Sequence, residues 1–149
     1  DETFEYISPM DPSVLDGEMT PETVAEYVST GNESLLVLDP KRTPTRFQLA
    51  KFTKADRDYL FGGGDPAEPK EERDARLDGA IVAVGLRGWK DPHKGAPSFS
   101  TRRVGFHRVA SDAVLEFVGP ELGRELAMVL WLRNFEQAAD GLAEEVEKN

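Results

Sequence analysis

The chain has 149 residues, of which 39% are hydrophobic and 31% charged, with no cysteine and a formal net charge of −10. Its length suits one domain with a single core, and the lack of cysteine excludes disulfides and thiolate metal sites. The acidic total disfavours nucleic acid as a partner, and no apolar run approaches the roughly 20 residues that cross a bilayer.

Residues 1–40 hold ten acidic side chains (Asp1, Glu2, Glu5, Asp11, Asp16, Glu18, Glu22, Glu26, Glu33 and Asp39) and no Lys or Arg. The opening DETFEYISPM has neither the basic start nor the apolar stretch of a signal peptide, so a soluble protein is expected. Residues 1–19 read as an irregular, extended acidic arm. Pro9, Pro12 and Gly17 interrupt any period, and Phe4, Tyr6, Ile7, Met10, Val14 and Leu15 are scattered anchors. A single α+β domain is expected over residues 20–149.

A helix is predicted over 21–30. Thr20 suits its N-cap, Pro21 its first turn and Glu22 the positive end of its dipole, while Val24, Tyr27 and Val28 form an apolar stripe that Gly31 terminates. The run Ser34–Leu38 reads as a buried strand ended by Asp39-Pro40. Thr45–Phe52 alternates Phe47 and Leu49 with polar neighbours, and the two are predicted to pair as an antiparallel hairpin. Such a pair needs a helix or a partner's strand to cover it.

Thr53 with Asp56 signals a capped helix over 54–61, stopped by Gly62-Gly63-Gly64 and followed by a polar loop. A longer helix is predicted over 70–88. Leu77, Ala80, Ile81 and Val84 lie on one face with Val82 and Leu86 on the other, and Gly79, Gly85 and Gly88 imply close backbone packing or an early end. Asp91–Pro97 is a loop. Residues 98–110 fit either a sheet edge or a long loop anchored by Phe99, Val104, Phe106 and Val109. Ser111 suits the cap of a short helix over 112–118. Gly119-Pro120 then opens the longest helix, about 120–147, with Leu122, Leu126, Val129 and Leu130 toward the core and Phe135, Ala138, Ala139, Leu142 and Val146 further round; Gly141 bends or ends it. Trp131 is expected in the core.

Catalytic chemistry finds little footing. His93 and His107 are the only histidines, and neither flanks a nucleophile motif or shows metal-ligand spacing. The glycine triplet lacks the Gly-Lys-Ser/Thr of a phosphate loop, and Asp56 and Asp58 diverge on a helix. No catalytic residue, cofactor or metal is expected. Residues 87–108 instead concentrate cations: Arg87, Lys90, Lys94, Arg102, Arg103 and Arg108 stand against Asp91 alone. Either the acidic segment folds over its own basic loop, or it meets a neighbour's.

The stretches VGLRGWKDPHKGAPSFS (Val84–Ser100) and VLEFVGPELGRELAMVLWL (Val114–Leu132) follow PTRFQLAKFTKADRDYL (Pro44–Leu60). In this order they resemble tail-assembly chaperones and related small morphogenesis proteins of tailed bacteriophages. The resemblance spans roughly residues 35–135, and the acidic segment and residues 101–110 depart from it. It implies a non-enzymatic virion or tail assembly protein, in the virion or host cytoplasm, that contacts copies of itself or other phage structural proteins and neither nucleic acid nor membrane. The expected contact residues are Arg87, Trp89, Lys90, Arg102 and Arg103 on the basic side, with Phe4, Tyr6 and Ile7 as anchors of the arm. Two alternatives are a cytoplasmic bacterial adaptor or regulatory domain, and an enzyme whose site forms between subunits. The fold expected is α+β, mainly helical, with a small antiparallel hairpin or sheet.

Overall fold

The computed structural model describes residues 2–62 and 65–136. Gly63, Gly64 and the predicted helical continuation through Ala138, Ala139, Gly141, Leu142 and Val146 lie outside the described residues. The fold is α+β: the described residues form four helices and two small antiparallel sheets.

The first segment overturns the expectation of an irregular arm. Thr3–Tyr6 forms β1, an edge strand paired antiparallel with β2 (Arg46–Ala50) in the register Thr3↔Ala50 to Tyr6↔Phe47. The cause is burial. Tyr6 and Ile7 lie almost wholly inside the core, and Tyr6 stacks on Tyr27 with ring centroids 5.7 Å apart. Apolar area removed from water at about 25 cal/mol per Å² favours this docking over a solvated arm. The Tyr27 hydroxyl then closes the strand end: it accepts from Ile7 N and donates to Ile7 O, both at 2.8 Å. Two backbone groups at the exit of β1 are thereby satisfied inside the core.

Tyr27 belongs to α1 (Pro21–Thr30), which begins and ends where the sequence placed it. Thr20 Oγ1 accepts from Thr23 N, and Gly31 takes the left-handed conformation at φ 71. A side chain at Gly31 would also strike the Arg133 guanidinium, which packs there and covers the Phe4 ring at 4.8 Å.

The predicted Ser34–Leu38 strand and its hairpin do not form. Glu33–Leu35 is a single 3-10 turn initiated by Asn32, whose side chain accepts from Ser34 N, and Leu38 makes only an isolated bridge to Val14. Leu36 is buried, so its apolar signal was a packing signal without strand pairing. Strand β2 instead takes its second partner from much later in the chain.

That partner is β3 (Leu86–Lys90), paired antiparallel from Arg46↔Lys90 to Leu49↔Leu86 with an irregularity between Gln48 and Leu49. The sheet order is therefore β1-β2-β3. Two helices join these strands. The first, α2 (Lys54–Phe61), carries a full capping box between Thr53 and Asp56. The second, α3 (Lys70–Gly85), is three residues shorter than predicted because the chain turns directly into β3. Gly85 sits where a Cβ would fall 2.5 Å from Leu130, and Gly88 where it would fall 2.6 Å from the Gln48 side chain. These glycines mark close approach, of a helix in one case and of a strand neighbour in the other.

Residues 98–110 resolve into a second sheet. Strands β4 (Thr101–Val104) and β5 (His107–Ala110) form a hairpin around Gly105-Phe106, with Gly105 at φ 60. Glycine at the first central position is what a two-residue hairpin turn of this kind requires. The chain continues as α4 (Asp112–Trp131), broken at Gly119 (φ 74) before Pro120, so the predicted pair of helices abuts at a kink. A wider π turn at Leu132–Glu136 ends the described chain and points Asn134 at the sheet. Asn134 accepts from Phe52 N at 2.8 Å and donates to Ala50 O and Leu130 O at 3.0 Å, tying α4 to the end of β2. Trp131 departs from expectation. It is more than one-third exposed and leans on Phe135 at 4.8 Å, since Val129 and Leu130 take the inward positions.

Under β1, Glu125 of α4 reaches Ser8, whose hydroxyl donates to it at 3.1 Å. Among the described residues Tyr6 Oη and Glu125 Oε2 are buried without a partner of hydrogen-bonding geometry. Burial pushes the Glu125 carboxyl above its ordinary range, outweighing the help of the Ser8 and Tyr6 hydroxyls. Burial, reinforced by the Glu125 charge, likewise pushes the Tyr6 phenol up.

Two outcomes follow. Tyr27→Phe leaves the Ile7 amide and carbonyl buried and unpaired, and is expected to cost about 1–3 kcal/mol in urea unfolding. Because Glu125 has a raised folded value, its stability contribution is complete below 4.5 and is lost as pH rises through the folded value. Glu125→Gln is therefore expected to leave thermal stability unchanged near pH 4 and to raise it, by roughly 2–5 °C, at pH 7.

Candidate functional site

The cations gathered at residues 87–108 do not form one surface. Arg87 is committed to the fold: its Nε donates to Val84 O at 2.7 Å, closing the end of α3, and its guanidinium reaches Asp56 at 3.4 Å. Lys90 pairs with Glu5 at 2.9 Å across the sheet, and Arg46 approaches the same carboxylate at 3.5 Å while also bridging to Glu33. The Lys90 hydrogen bond holds Glu5 below the usual carboxylate range. Trp89 is half-buried, edge-on to Phe99 at 5.3 Å and Phe117 at 5.7 Å. Of the anchors expected on the arm, Tyr6 and Ile7 are core residues and Phe4 lies under Arg133. Tyr6 and Ile7 are therefore folding residues of the sheet with almost no surface to offer, and Phe4 is partly buried against the core.

Arg102 and Arg103 sit on β4. Their setting differs from that of the cations on β3. Register pairs Arg103 with Arg108 directly across the hairpin, and Arg102 with Val109. One face of the ribbon is turned inward through Val109, with Val104 and His107 half-buried, whereas Arg103 and Arg108 project from the other. Arg108 donates to Thr101 at 3.2 Å on that outer face. Arg102 approaches Asp112 at 3.5 Å, with both side chains more than half exposed, and such a pair contributes little. Among the described residues Arg103 has no ion pair. At the tip Phe106 is fully exposed, the most exposed of the large apolar side chains in the described residues.

Two local rules are broken on this hairpin. Like charges directly opposite on a ribbon repel, and a phenyl ring in water forgoes its burial free energy. Among the described residues nothing compensates either one. Such unrelieved features are where binding surfaces are found, since a partner can neutralise the arginines and cover the ring. Sequence reasoning singled out Arg102 and Arg103 but missed Phe106 and Arg108 as a set. The available signal was Gly105-Phe106 between two short alternating runs, a two-residue turn that puts its second residue at the tip.

The remaining polar clusters of the described residues tie loops and helix ends together. Asp11 is buried; it accepts from Ser13 Oγ at 2.6 Å, from Ser13 N at 2.9 Å and from Thr45 N at 3.3 Å, and meets His93 at 3.0 Å. Hydroxyl and imidazole both address the carboxylate, so the serine has no base against it, as nucleophilic relay requires. The cluster is a staple between three loops. Thr45 completes it by donating to Asp91 O at 2.8 Å, where Asp91 adopts a left-handed φ of 53. His107 stacks on Tyr59 at 4.5 Å and lies 3.8 Å from Asp56, beside Arg87. A groove of about 400 Å³ between α3 and α4 is lined by Val82, Leu115, Val118 and Pro120, with Asp78 and Arg124 its charged groups among the described residues. Among the described residues no group of three His, Asp or Glu is placed to hold a metal, and no helix is long and apolar enough to cross a membrane.

Burial would raise Asp11, but the Ser13 and Thr45 hydrogen bonds together with His93 outweigh it and hold the carboxyl below its ordinary 3.8. Its stability contribution is thus present above 3.8 and is lost as pH falls through the lower folded value. Asp11→Ala is expected to cost about 2–4 kcal/mol at pH 7, and thermal melts from pH 7 down to pH 2 should show a correspondingly weaker acid dependence. Neither a protein-family model, nor a curated protein, nor a solved structure matches the chain.

Proposed function

We propose that this chain is a non-enzymatic assembly protein that works through protein–protein contacts, with the β4–β5 hairpin as its contact element. The observation that carries the reading is the fully exposed Phe106 held on a tight turn beside the opposed Arg103 and Arg108. An aromatic ring flanked by arginines has the composition of an interface hot spot. A two-residue turn presents it with little conformational entropy left to lose. The matching surface is acidic around a shallow apolar recess. A protein supplies that combination more readily than nucleic acid does, because the chain's overall −10 charge repels a phosphate backbone.

The sequence resemblance to small tail-morphogenesis proteins of tailed bacteriophages supports the class: a virion or tail assembly protein, acting in the virion or the host cytoplasm. Such proteins operate by stoichiometric contact, which accords with polar clusters that serve as loop staples and caps. Trp89, Phe99 and Phe117 form a half-buried aromatic support beside the hairpin and belong to its footing more than to its contact face.

The test is photo-cross-linking with benzoylphenylalanine at position 106 in the cells that make the protein. Discrete protein adducts are expected, and they should disappear when Arg103 and Arg108 are both changed to Glu. Adducts to nucleic acid, or no adduct at all, would overturn the reading.

A further inference from the structure

The acidic segment is only partly neutralised by its own chain. Glu2 pairs with Lys51, Glu5 with Lys90 and Arg46, Asp11 with His93, Glu33 with Arg46 and Asp39 with Arg42. Asp16, Glu18, Glu22 and Glu26 are exposed and have no ion pair among the described residues. They run along one 3-10 turn and the outer side of α1. Glu22 and Glu26 are four apart on the helix, with exposed Pro21 and Ala25 immediately beside them.

Resting on the reading of the hairpin as a contact element, we propose that its partner is a second copy of this chain. In that contact Arg103 and Arg108 of one copy clasp Glu22 and Glu26 of the next, while Phe106 covers Pro21 and Ala25. The spacing supports the match. Directly opposed residues on a ribbon have Cβ atoms about 4.5–5.5 Å apart. Residues i and i+4 on a helix are about 5–6 Å apart. Two parallel arginines thus face two parallel carboxylates at a common pitch, and each guanidinium can fork onto one carboxylate. The repulsion between Arg103 and Arg108 is relieved by the same contact.

Within one chain these groups do not meet: among the described residues no ion pair joins the hairpin to α1. In the proposed contact the complement comes from another molecule, and the contact uses two different surfaces. A heterologous contact leaves a free hairpin at one end and a free acidic helix at the other, so it closes into a ring or grows into a filament. Exposed pairs of this kind are screened by salt, so association is strongest at low ionic strength.

Sedimentation velocity at low and high ionic strength tests the inference on the full chain. Four proteins are compared: the natural sequence, Arg103→Glu with Arg108→Glu, Glu22→Arg with Glu26→Arg, and all four changes together. The natural chain is expected to sediment well above its 16.5 kDa monomer mass at low salt. Each reversed pair should return it to monomer, and the fourfold exchange should restore association. If a reversed pair does not fold, as judged by circular dichroism, the corresponding Gln variants carry the same comparison.

A natural chain that stays monomeric at low salt overturns the inference. So does loss of association from the hairpin pair alone with the helix pair inert, although the hairpin remains the contact element in that case. Cross-links from position 106 to a different protein, with a monomeric chain, likewise overturn self-association while leaving the assembly reading in place.

Discussion

The double pairing of β2 is the interaction from which the rest of the molecule follows. This strand carries Phe47, Leu49 and Ala50 into the core, and its backbone is completed on one edge by residues 3–6 and on the other by residues 86–90. Both partners are distant in sequence. Bringing them together costs loop-closure entropy that local structure cannot repay, so the sheet and the helical cover form as one unit. The N-terminal segment has no separate existence as an arm: its strand, the Tyr6–Tyr27 stack and the Ile7–Tyr27 hydrogen bonds are parts of that unit. Asn134 joins the far end of α4 to the same strand, so the described chain is tied to β2 near both of its limits.

This architecture sorts the charges. Antiparallel pairing lays Glu5 beside Lys90 and Arg46, and loop packing buries Asp11 against Thr45 and His93. Glu5 and Asp11, early acidic residues of the sheet and its loops, thereby find partners within the chain. Those on the outer side of α1 are not, because α1 turns Tyr27 inward and its carboxylates outward. On the basic side, β3 is absorbed into the sheet while the β4–β5 ribbon is held by one face only. Among the described residues two complementary charged features are left without a partner at home, which is the physical basis of the proposed assembly.

Much of the local structure was legible in the residues. Thr20 with Pro21 and Gly31 bounded α1, Thr53 with Asp56 opened α2, and Gly119-Pro120 marked the break in α4. Caps and breakers act over three or four residues, so their meaning does not depend on the remainder of the fold. Strand pairing was the failure. Ser34–Leu38 looked like a strand because Leu35, Leu36, Val37 and Leu38 are apolar, yet the ladder position beside β2 went to Thr3–Tyr6, whose alternation was hidden by the acidic context. Residues 86–88, the start of β3, were read as the end of a helix because apolar spacing alone does not distinguish the last turn of a buried helix from a short strand.

The candidate site was half legible for the same reason. Arg102 and Arg103 stood out by charge, but which of the cations in residues 87–108 remain available is decided by pairing partners contributed from residues 5, 56 and 112. By itself the sequence determined composition, several caps and helix starts, and the polarity of charge, all properties of near neighbours. Only the tertiary structure decided that the acidic beginning supplies a core strand, that Tyr6 and Ile7 are interior, and that Phe106 stands alone in solvent. Those outcomes depend on competition among distant segments for one sheet and one core, and free energies of burial and pairing resolve that competition only when the whole chain is present.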